Sequence, residues 1–292
     1  MDFAKFDEKA EELRVLGVVV SQNGKEIGKR LWDEECRRNI YSASKSFTSC
    51  AVGLAVKEGL ISLEEKLTDC FADDLPETVG DNLRKATVRD LLTMHLGQAT
   101  GSLMGVQRPN YEEDDWVKLA LSIPFTDEPG TKFVYNNVGP YLAGILVQRR
   151  AGCDLVSYLM PRLFKPLGIK RPVWETDPLG NTFGAGGLML TLGELHRLGL
   201  LYLQKGKWGD RQILTEEWVM ESTSKQGDND KDEYGYGYLF WGGSRNSFRA
   251  DGKYSQLSII CREKNAVITV SAECRKGKEL MDTIFENLYS QL

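Results

Sequence analysis

The sequence predicts an α/β (α+β) fold in which one antiparallel sheet, flanked by helices, carries an inserted all-helical lobe. A β-branched run over residues 16–21 leads into Asn23-Gly24, which is the strongest short signal for a β-hairpin. Helical spacing dominates the middle of the chain. Strand-like runs return in the last third, over residues 234–241, 255–262 and 266–272. Strands near both ends indicate that the two ends build one sheet around a helical insertion.

The elements follow in order along the chain. Helical spacing over residues 3–14 precedes the hairpin, whose second strand covers about residues 26–32. Ser62 and Glu65 have the form of a capping box for a short helix. Further helices are predicted at residues 87–94, 112–122, 141–150, 154–163, 192–203 and 277–292.

These elements predict a single domain over residues 1–292. We expect an α/β lobe built from about 1–60 and 204–292. The helical lobe is expected to cover about 61–203.

Composition excludes several classes of partner. The formal net charge is −5 and no basic stripe is present, which argues against nucleic-acid binding. No apolar run approaches the roughly 20 residues that a membrane-spanning helix needs, and the N-terminal residues lack a secretory pattern. We therefore expect a cytoplasmic protein with no membrane partner. The oligomeric state is left open.

The cysteines and histidines argue against a metal site. The six cysteines are scattered without a Cys-x-x-Cys pair, and the chain has two histidines. We expect no metal and no organic cofactor. Core cysteines in a reducing compartment are the favoured interpretation, with a disulfide set as the open alternative.

The stretch from Ser42 to Leu60 predicts one buried helix with chemistry at its start. Ser42 and Lys45 are spaced i and i+3, so their side chains share a face. A serine hydroxyl needs a base, and a buried lysine at a helix N-terminus can supply one. The alternative is a capping serine and a surface lysine. Ser222-Thr-Ser-Lys225 matches the same pattern, but no helix follows it.

A second candidate motif comes just after the Pro129-Gly130 turn. It consists of Tyr135 and Asn137, immediately before an apolar helix. A phenol can relay a proton, and an amide can orient a lysine or a substrate carbonyl. The alternative is a core tyrosine followed by helix-capping asparagines.

Together these segments resemble the serine β-lactamase and penicillin-binding-protein superfamily. The closest likeness is to its class C-like branch of β-lactamases, D-alanyl carboxypeptidases and esterases. Ser42-Ala-Ser-Lys45 matches the first motif and Tyr135-x-Asn137 the second, and the likeness spans nearly the whole chain. The resemblance implies a β-lactamase/transpeptidase-like fold and an acyl-enzyme mechanism.

The third motif of that family departs from its usual form. Ala250-Asp251-Gly252 stands where a Lys-Thr-Gly or His-x-Gly is expected, so the usual cation is missing. The resemblance implies that Ala250 and Gly252 line the substrate, and that the N–H groups of Ser42 and Lys253 form an oxyanion hole. Whether Arg249 or Lys253 replaces the lost cation is left open. The Ala-x-Gly form resembles esterase-like and amide-hydrolase members.

The predicted function is therefore that of a serine hydrolase whose activity resembles that of an esterase. Its substrate would be a small-molecule ester, amide or β-lactam. Ser42 attacks the carbonyl, Lys45 and Tyr135 share the proton transfers, and Asn137 orients Lys45 and the substrate. Which of Lys45 and Tyr135 is the base is left open, because the two would titrate as a coupled pair. The alternatives are a β-lactamase or D-alanyl-D-alanine carboxypeptidase, and a catalytically silent binding module on the same fold.

Other candidates rank lower. His95 and His196 lie in predicted helical segments and are expected to be helix-end or core residues. One or two aromatic residues are expected to contact substrate, out of Tyr111, Trp116, Trp174, Tyr236 and Trp241.

Overall fold

The computed structural model describes all residues from 1 to 292 and contains ten β-strands. In chain order they are β1 Val15–Gln22, β2 Lys25–Leu31, β3 Arg38–Asn39, β4 Met189–Leu190, β5 Lys207–Trp208, β6 Arg211–Gln212, β7 Trp241–Gly243, β8 Ser247–Gly252, β9 Gln256–Cys261 and β10 Ala266–Ala272. Six of them form the main sheet in the order β2-β1-β10-β9-β8-β7. All neighbours in it run antiparallel, which confirms the predicted class.

Eleven α-helices surround and interrupt this sheet. They are α1 Ala4–Ala10, α2 Ser44–Lys57, α3 Leu67–Cys70, α4 Asp81–Lys85, α5 Val88–Thr93, α6 Trp116–Ser122, α7 Val138–Ala151, α8 Leu155–Leu159, α9 Leu192–Leu203, α10 Glu216–Ser222 and α11 Gly277–Asn287. None of these helices combines the length and apolar character needed to cross a membrane.

The main sheet joins the two ends of the chain. Val18 of β1 pairs with Arg30 of β2 on one side and with Val270 of β10 on the other. Val18 and Val270 are fully buried, because both faces of the sheet are covered. One face packs against α1 and α11, and the other packs against α9 and the larger hydrophobic core. The division of the chain into two lobes stays a prediction.

Helix α2 lies at the centre of the larger core. Every residue from Ser44 to Ala55 is buried, and α2 packs directly against α7. Its buried hydroxyls find partners: Ser46 Oγ donates to the Leu239 carbonyl over 2.9 Å, and Thr48 Oγ1 donates to the Gly184 carbonyl over 2.7 Å. These bonds offset much of the cost of burying polar groups. The predicted core helix is confirmed.

Two local predictions are wrong. Residues 234–240 form no named strand, because Gly235 with a φ of 75° and Leu239 with a φ of 62° interrupt the extended backbone. The Ser62 N–H donates to the Glu65 carboxylate over 2.6 Å, but no helix starts there. The expectation for His95 is confirmed, because it directly follows Met94, which ends α5 with a left-handed φ of 64°, and its side chain is buried.

Candidate active site

Ser42 lies in a short 3-10 turn, Tyr41–Ala43, that leads into α2 rather than in the first turn of α2 itself. Tyr41 has a φ of 48°, a left-handed conformation that costs a non-glycine residue about 1 kcal/mol. Two contacts hold it there. The Tyr41 N–H donates to Asn39 Oδ1 over 2.7 Å, and the Tyr41 ring packs edge-on against Tyr254 with centroids 5.4 Å apart. These two contacts fix the backbone conformation of Tyr41, and with it the position of Ser42, the next residue in the turn.

Lys45 is buried, with 1% of its surface exposed, and its amine sits beside Ser42. Nζ donates to Ser42 Oγ over 3.1 Å, to Asn137 Oδ1 over 2.6 Å and to the Ala185 carbonyl over 2.7 Å. Three acceptors match the three N–H bonds of an ammonium group. Burial, and to a smaller extent the positive charge of Arg108, lowers the pKa of Lys45 to about 7. Lys45 therefore exchanges a proton near neutral pH.

Hydrogen bonds at both the nitrogen and the oxygen of its amide group hold the Asn137 side chain in one orientation. Its Nδ2 donates to the Leu103 carbonyl over 3.0 Å, which leaves Oδ1 facing Lys45. The neighbouring Asn136 takes the capping role, because its Oδ1 accepts from the Gly139 N–H over 2.8 Å. The two asparagines at the start of α7 thus divide the two roles that the sequence left open.

Tyr135 completes this side of the cleft. Its ring centroid lies 5.1 Å from Lys45 Nζ, and the ring stacks on Trp241 with centroids 5.4 Å apart. Burial raises the pKa of the Tyr135 hydroxyl well above its ordinary value, the Ser42 hydroxyl opposes this rise, and the Asp251 carboxylate adds to it. The Tyr135 side chain is therefore a neutral phenol across the physiological pH range.

Strand β8 closes the opposite side of the cleft at its last residue. A Cβ on Gly252 would lie 2.1 Å from the Ile40 carbonyl and 3.2 Å from the Ala43 nitrogen, so only glycine allows this approach. The Lys253 N–H that follows donates no hydrogen bond within the protein. Ala250 is 1% exposed and belongs to the hydrophobic core, so its methyl group is packed rather than open to solvent.

The two candidate replacement cations near β8 are both engaged. Arg249 Nε donates to the Asp251 carboxylate over 2.9 Å, and Arg249 Nη1 donates to the Gly242 carbonyl over 2.9 Å. Lys253 is exposed, with Nζ 4.8 Å from the ring centroid of Tyr254. The charge of Arg249 is therefore matched by Asp251, and the ammonium of Lys253 lies over an aromatic ring.

Three groups at the site were missed by sequence reasoning. Two are the backbone carbonyls of Leu103 and Ala185, because a carbonyl carries no residue signature. The third is Arg108, whose guanidinium lies 4.3 Å from the Phe183 ring centroid and pairs with Glu175 over 2.6 Å. The glycines flanking Ala185, in Gly184-Ala-Gly-Gly187, were the one available signal of an unusual backbone there.

The two histidines and the second Ser-x-x-Lys pair, which were the remaining polar candidates, bond to groups outside the candidate active site. His196 Nε2 is 2.8 Å from Ser21 Oγ and its Nδ1 is 2.8 Å from Thr269 Oγ1, and burial lowers the pKa of His196 to about 4. His95 Nδ1 is 2.7 Å from the Thr93 carbonyl. The second Ser-x-x-Lys pair is not assembled, since Lys225 pairs with Asp228 over 2.6 Å.

The predicted aromatic residues fall into two groups. Tyr236 and Trp241 pack around Tyr135, with ring centroids 6.4 and 5.4 Å from it. Tyr111 and Trp116 pack against each other with centroids 6.3 Å apart, and Trp174 Nε1 donates to the Gly186 carbonyl over 2.8 Å. The chain contains no group of three His, Cys, Asp or Glu side chains placed to hold a metal ion.

The sequence is similar to a known protein family and to individual proteins of known activity. The family model described as Beta-lactamase matches residues 3–288. The chain is 29% identical over 152 residues to the lovastatin esterase of Penicillium rubens, a match that covers 44% of this chain and 37% of that protein. It is 26% identical over 144 residues to the N-acetylmuramyl-L-alanine amidase of Bacillus subtilis, covering 47% of this chain and 32% of the amidase. The chain thus spans about a third of the length of these relatives.

The fold also matches solved structures. A putative β-lactamase from Bacteroides dorei superimposes with a TM-score of 0.80 over 99% of this chain and 99% of that one. The two sequences are 18% identical, so the likeness is one of fold.

Proposed function

Because the chain belongs to the Beta-lactamase family, we propose that it is a serine hydrolase that forms an acyl-enzyme on Ser42 and takes esters as its best substrates. The family match agrees with the resemblance seen in the motifs. One observation carries the mechanism: the amine of buried Lys45, with a pKa of about 7, lies 3.1 Å from Ser42 Oγ. A general base is most effective when its pKa lies near the working pH.

Acylation begins with neutral Lys45. Its amine takes the proton from Ser42 Oγ while Oγ forms a bond to the substrate carbonyl carbon. The carbonyl oxygen becomes an oxyanion, which the N–H groups of Ser42 and Lys253 stabilise. The free Lys253 N–H and the tight approach at Gly252 support this role. Collapse of the intermediate breaks the bond to the leaving group, which departs with a proton.

Lys45 and Tyr135 have different parts in the proton transfers. The pKa of Lys45 lies near neutrality, whereas that of Tyr135 is raised, so the lysine is the better base in the free enzyme. The neutral phenol delivers a proton to the leaving oxygen or nitrogen and takes one from the Lys45 ammonium, which returns both side chains to their neutral forms. Lys45 then activates water for deacylation, while Asn137 keeps the amine aimed at Ser42.

Esters are favoured over β-lactams by the charges at β8. Arg249 is paired with Asp251, so the arginine of β8 offers no unpaired charge for a β-lactam carboxylate. The similarity to a lovastatin esterase supports the same choice. Amide hydrolysis is the second candidate, because an amidase is among the relatives.

The substrate class is tested by turnover of short 4-nitrophenyl esters and of nitrocefin. We expect the esters to be hydrolysed faster, and Ser42→Ala to abolish turnover. Ser222→Ala is the matched control, because Ser222 belongs to the unassembled Ser-x-x-Lys pair. Faster turnover of nitrocefin would favour the β-lactamase alternative. Absence of all turnover would favour the silent binding module.

A further inference from the structure

Two backbone carbonyls hold the side chains around Ser42, and they come from separate segments of the chain. The Ala185 carbonyl accepts from Lys45 Nζ over 2.7 Å, and the Leu103 carbonyl accepts from Asn137 Nδ2 over 3.0 Å. Neither carbonyl belongs to a helix or a strand. The position of the Lys45 amine therefore depends on what holds these two segments in place.

The backbone of Glu175 closes the segment that carries Ala185, which is the acceptor loop of residues 183–187. The Glu175 N–H donates to the Gly187 carbonyl over 3.1 Å, and the Glu175 carbonyl accepts from the Phe183 N–H over 2.8 Å. The Glu175 side chain packs directly on this loop, since a Cβ on Gly187 would lie 2.3 Å from Glu175 Cβ. Glu175 thus holds both ends of the acceptor loop.

The side chain of Glu175 reaches the segment that carries Leu103, which is the acceptor turn of residues 103–108. Arg108 Nη1 donates to Glu175 Oε1 over 2.6 Å, and the Arg108 guanidinium lies 4.3 Å from the Phe183 ring centroid. The backbone N–H of Arg108 donates to a carbonyl of the same turn, that of Met104, over 3.1 Å. The ion pair therefore joins the acceptor turn to the acceptor loop.

This ion pair is better suited to hold position than to stabilise the fold. The Arg108 side chain is 18% exposed and the Glu175 side chain is 40% exposed. Partly exposed ion pairs contribute little to the free energy of unfolding, whereas a charge-assisted hydrogen bond of 2.6 Å fixes the distance between its two groups. The Arg108–Glu175 pair therefore fixes the distance between the acceptor turn and the acceptor loop.

We propose that Glu175 is a positioning residue for the proton transfers at Ser42. By holding Arg108, its carboxylate keeps the acceptor loop and the acceptor turn in register, so that the Lys45 amine stays aimed at Ser42 Oγ. The inference rests on the proposed function, because it concerns the same site.

Glu175→Gln tests this role, because it keeps the size of the side chain and removes the charge that holds Arg108. Release of the guanidinium should raise the pKa of Lys45, so the rise of kcat/KM for 4-nitrophenyl acetate should move up by about 0.5 or more on the pH scale. A carboxylate that only neutralised Arg108 would give the opposite shift, because its removal adds positive charge near Lys45. A shift to lower pH, or none, overturns the inference. The other charged or titratable side chains around Lys45 stay unchanged in this variant: Tyr135 and, on β8, the paired Arg249 and Asp251.

A double-mutant cycle tests whether Glu175 acts through Arg108. In Glu175→Gln we expect the plateau of kcat/KM to fall at least about tenfold, because the base is no longer held in place. The double variant Arg108→Gln/Glu175→Gln should lose no more than the worse single variant. Glu175→Asp keeps the charge and should lose less than Glu175→Gln. Losses that add up in the double variant overturn the inference.

A second ion pair supplies the matched control. Lys205 Nζ lies 2.6 Å from Glu216 Oε1, and both side chains are exposed. Glu216→Gln should leave kcat/KM and its pH profile unchanged. The thermal midpoint of Glu175→Gln should stay close to that of Glu216→Gln, which separates a positioning role from a loss of folding.

A direct titration of Lys45 separates this inference from the proposed function. The protein is labelled with ¹³C-lysine and titrated by NMR, and the Lys45 signal is assigned by its absence in Lys45→Met. A higher pKa of Lys45 in Glu175→Gln, together with no hydrolysis of any ester by the unmodified protein, supports the role of Glu175 and contradicts the hydrolase. Ester hydrolysis by the unmodified protein, with an equal pKa of Lys45 in both proteins, overturns the role of Glu175 and leaves the hydrolase standing.

Discussion

At the scale of single residues, the site depends on the protonation state of Lys45. Three acceptors and burial hold its amine beside Ser42, and the lowered pKa keeps part of the population neutral at pH 7. Arg108 contributes through its charge, and Glu175 anchors it by an ion pair of 2.6 Å. The pKa of Lys45 thus depends on Arg108, although Arg108 forms no hydrogen bond with either Ser42 or Lys45.

The pH profile reports this dependence. The rate constant kcat/KM for 4-nitrophenyl acetate should rise with pH through about 7, because the base must be neutral. Arg108→Gln removes a positive charge that lowers the pKa of Lys45, so the rise should move to higher pH. Arg108→Lys keeps the charge and should move it less. An unchanged profile in Arg108→Gln would refute the electrostatic role of Arg108.

Tyr135 should matter most when the leaving group needs a proton. Tyr135→Phe is expected to reduce kcat/KM for an ethyl ester by about 100-fold or more, because ethoxide is a poor leaving group. For a 4-nitrophenyl ester, whose leaving group departs as a stable anion, we expect a loss below about tenfold. The two esters are compared at one pH on the same preparations. Equal losses of kcat/KM for the two esters would show that Tyr135 acts in a step before the leaving group departs.

At the scale of elements, the approach of β8 to the turn before α2 is the critical contact. Gly252→Ala would place a Cβ 2.1 Å from the Ile40 carbonyl and force the strand away from Ser42. We expect kcat/KM to fall by about 100-fold, comparable to the loss of one oxyanion donor. Gly80→Ala is the control, because nothing lies within 4 Å of its Cβ position. Full activity in folded Gly252→Ala would show that the contact is dispensable.

The packing of α9 on the sheet makes stability depend on pH. Burial lowers the pKa of His196 from 6.5 to about 4, so between these values the unfolded chain binds a proton that the folded chain does not. Stability therefore falls as pH drops below about 6.5, by about 2 kcal/mol between pH 7 and pH 5 from this group. His196→Gln, which cannot titrate, should show a shallower fall in thermal midpoint over this range. Parallel curves would contradict the assignment.

At the scale of the whole molecule, the sequence predicted the class of fold but not all of its detail. The hairpin at Asn23-Gly24 and the runs over 255–262 and 266–272 predicted the strands that join the chain ends. The run over 234–241 was misread because aromatic residues at alternate positions resemble a strand. In the structure most of these rings are buried, but the backbone that carries them turns at Leu239, which has a left-handed conformation. An alternating pattern of side chains does not reveal such a turn.

The candidate site was predictable to a similar extent. Ser42, Lys45, Tyr135 and Asn137 were found from residue type and spacing, and the structure brings them together, while their catalytic roles stay a prediction. The acceptor carbonyls of Leu103 and Ala185 could not be found, because any residue supplies a carbonyl. Arg108 was missed because its partners, Glu175 and Phe183, are far away in sequence.

The most direct test of the central claim is covalent labelling of Ser42. The folded protein is treated with a fluorophosphonate and measured by intact mass, beside Ser42→Ala and the control Ser222→Ala. We predict one adduct on the unmodified protein and on Ser222→Ala, none on Ser42→Ala, and slower labelling as pH falls below about 7. An adduct that persists in Ser42→Ala, or a folded unmodified protein that never reacts, would contradict the assignment of Ser42 as the nucleophile.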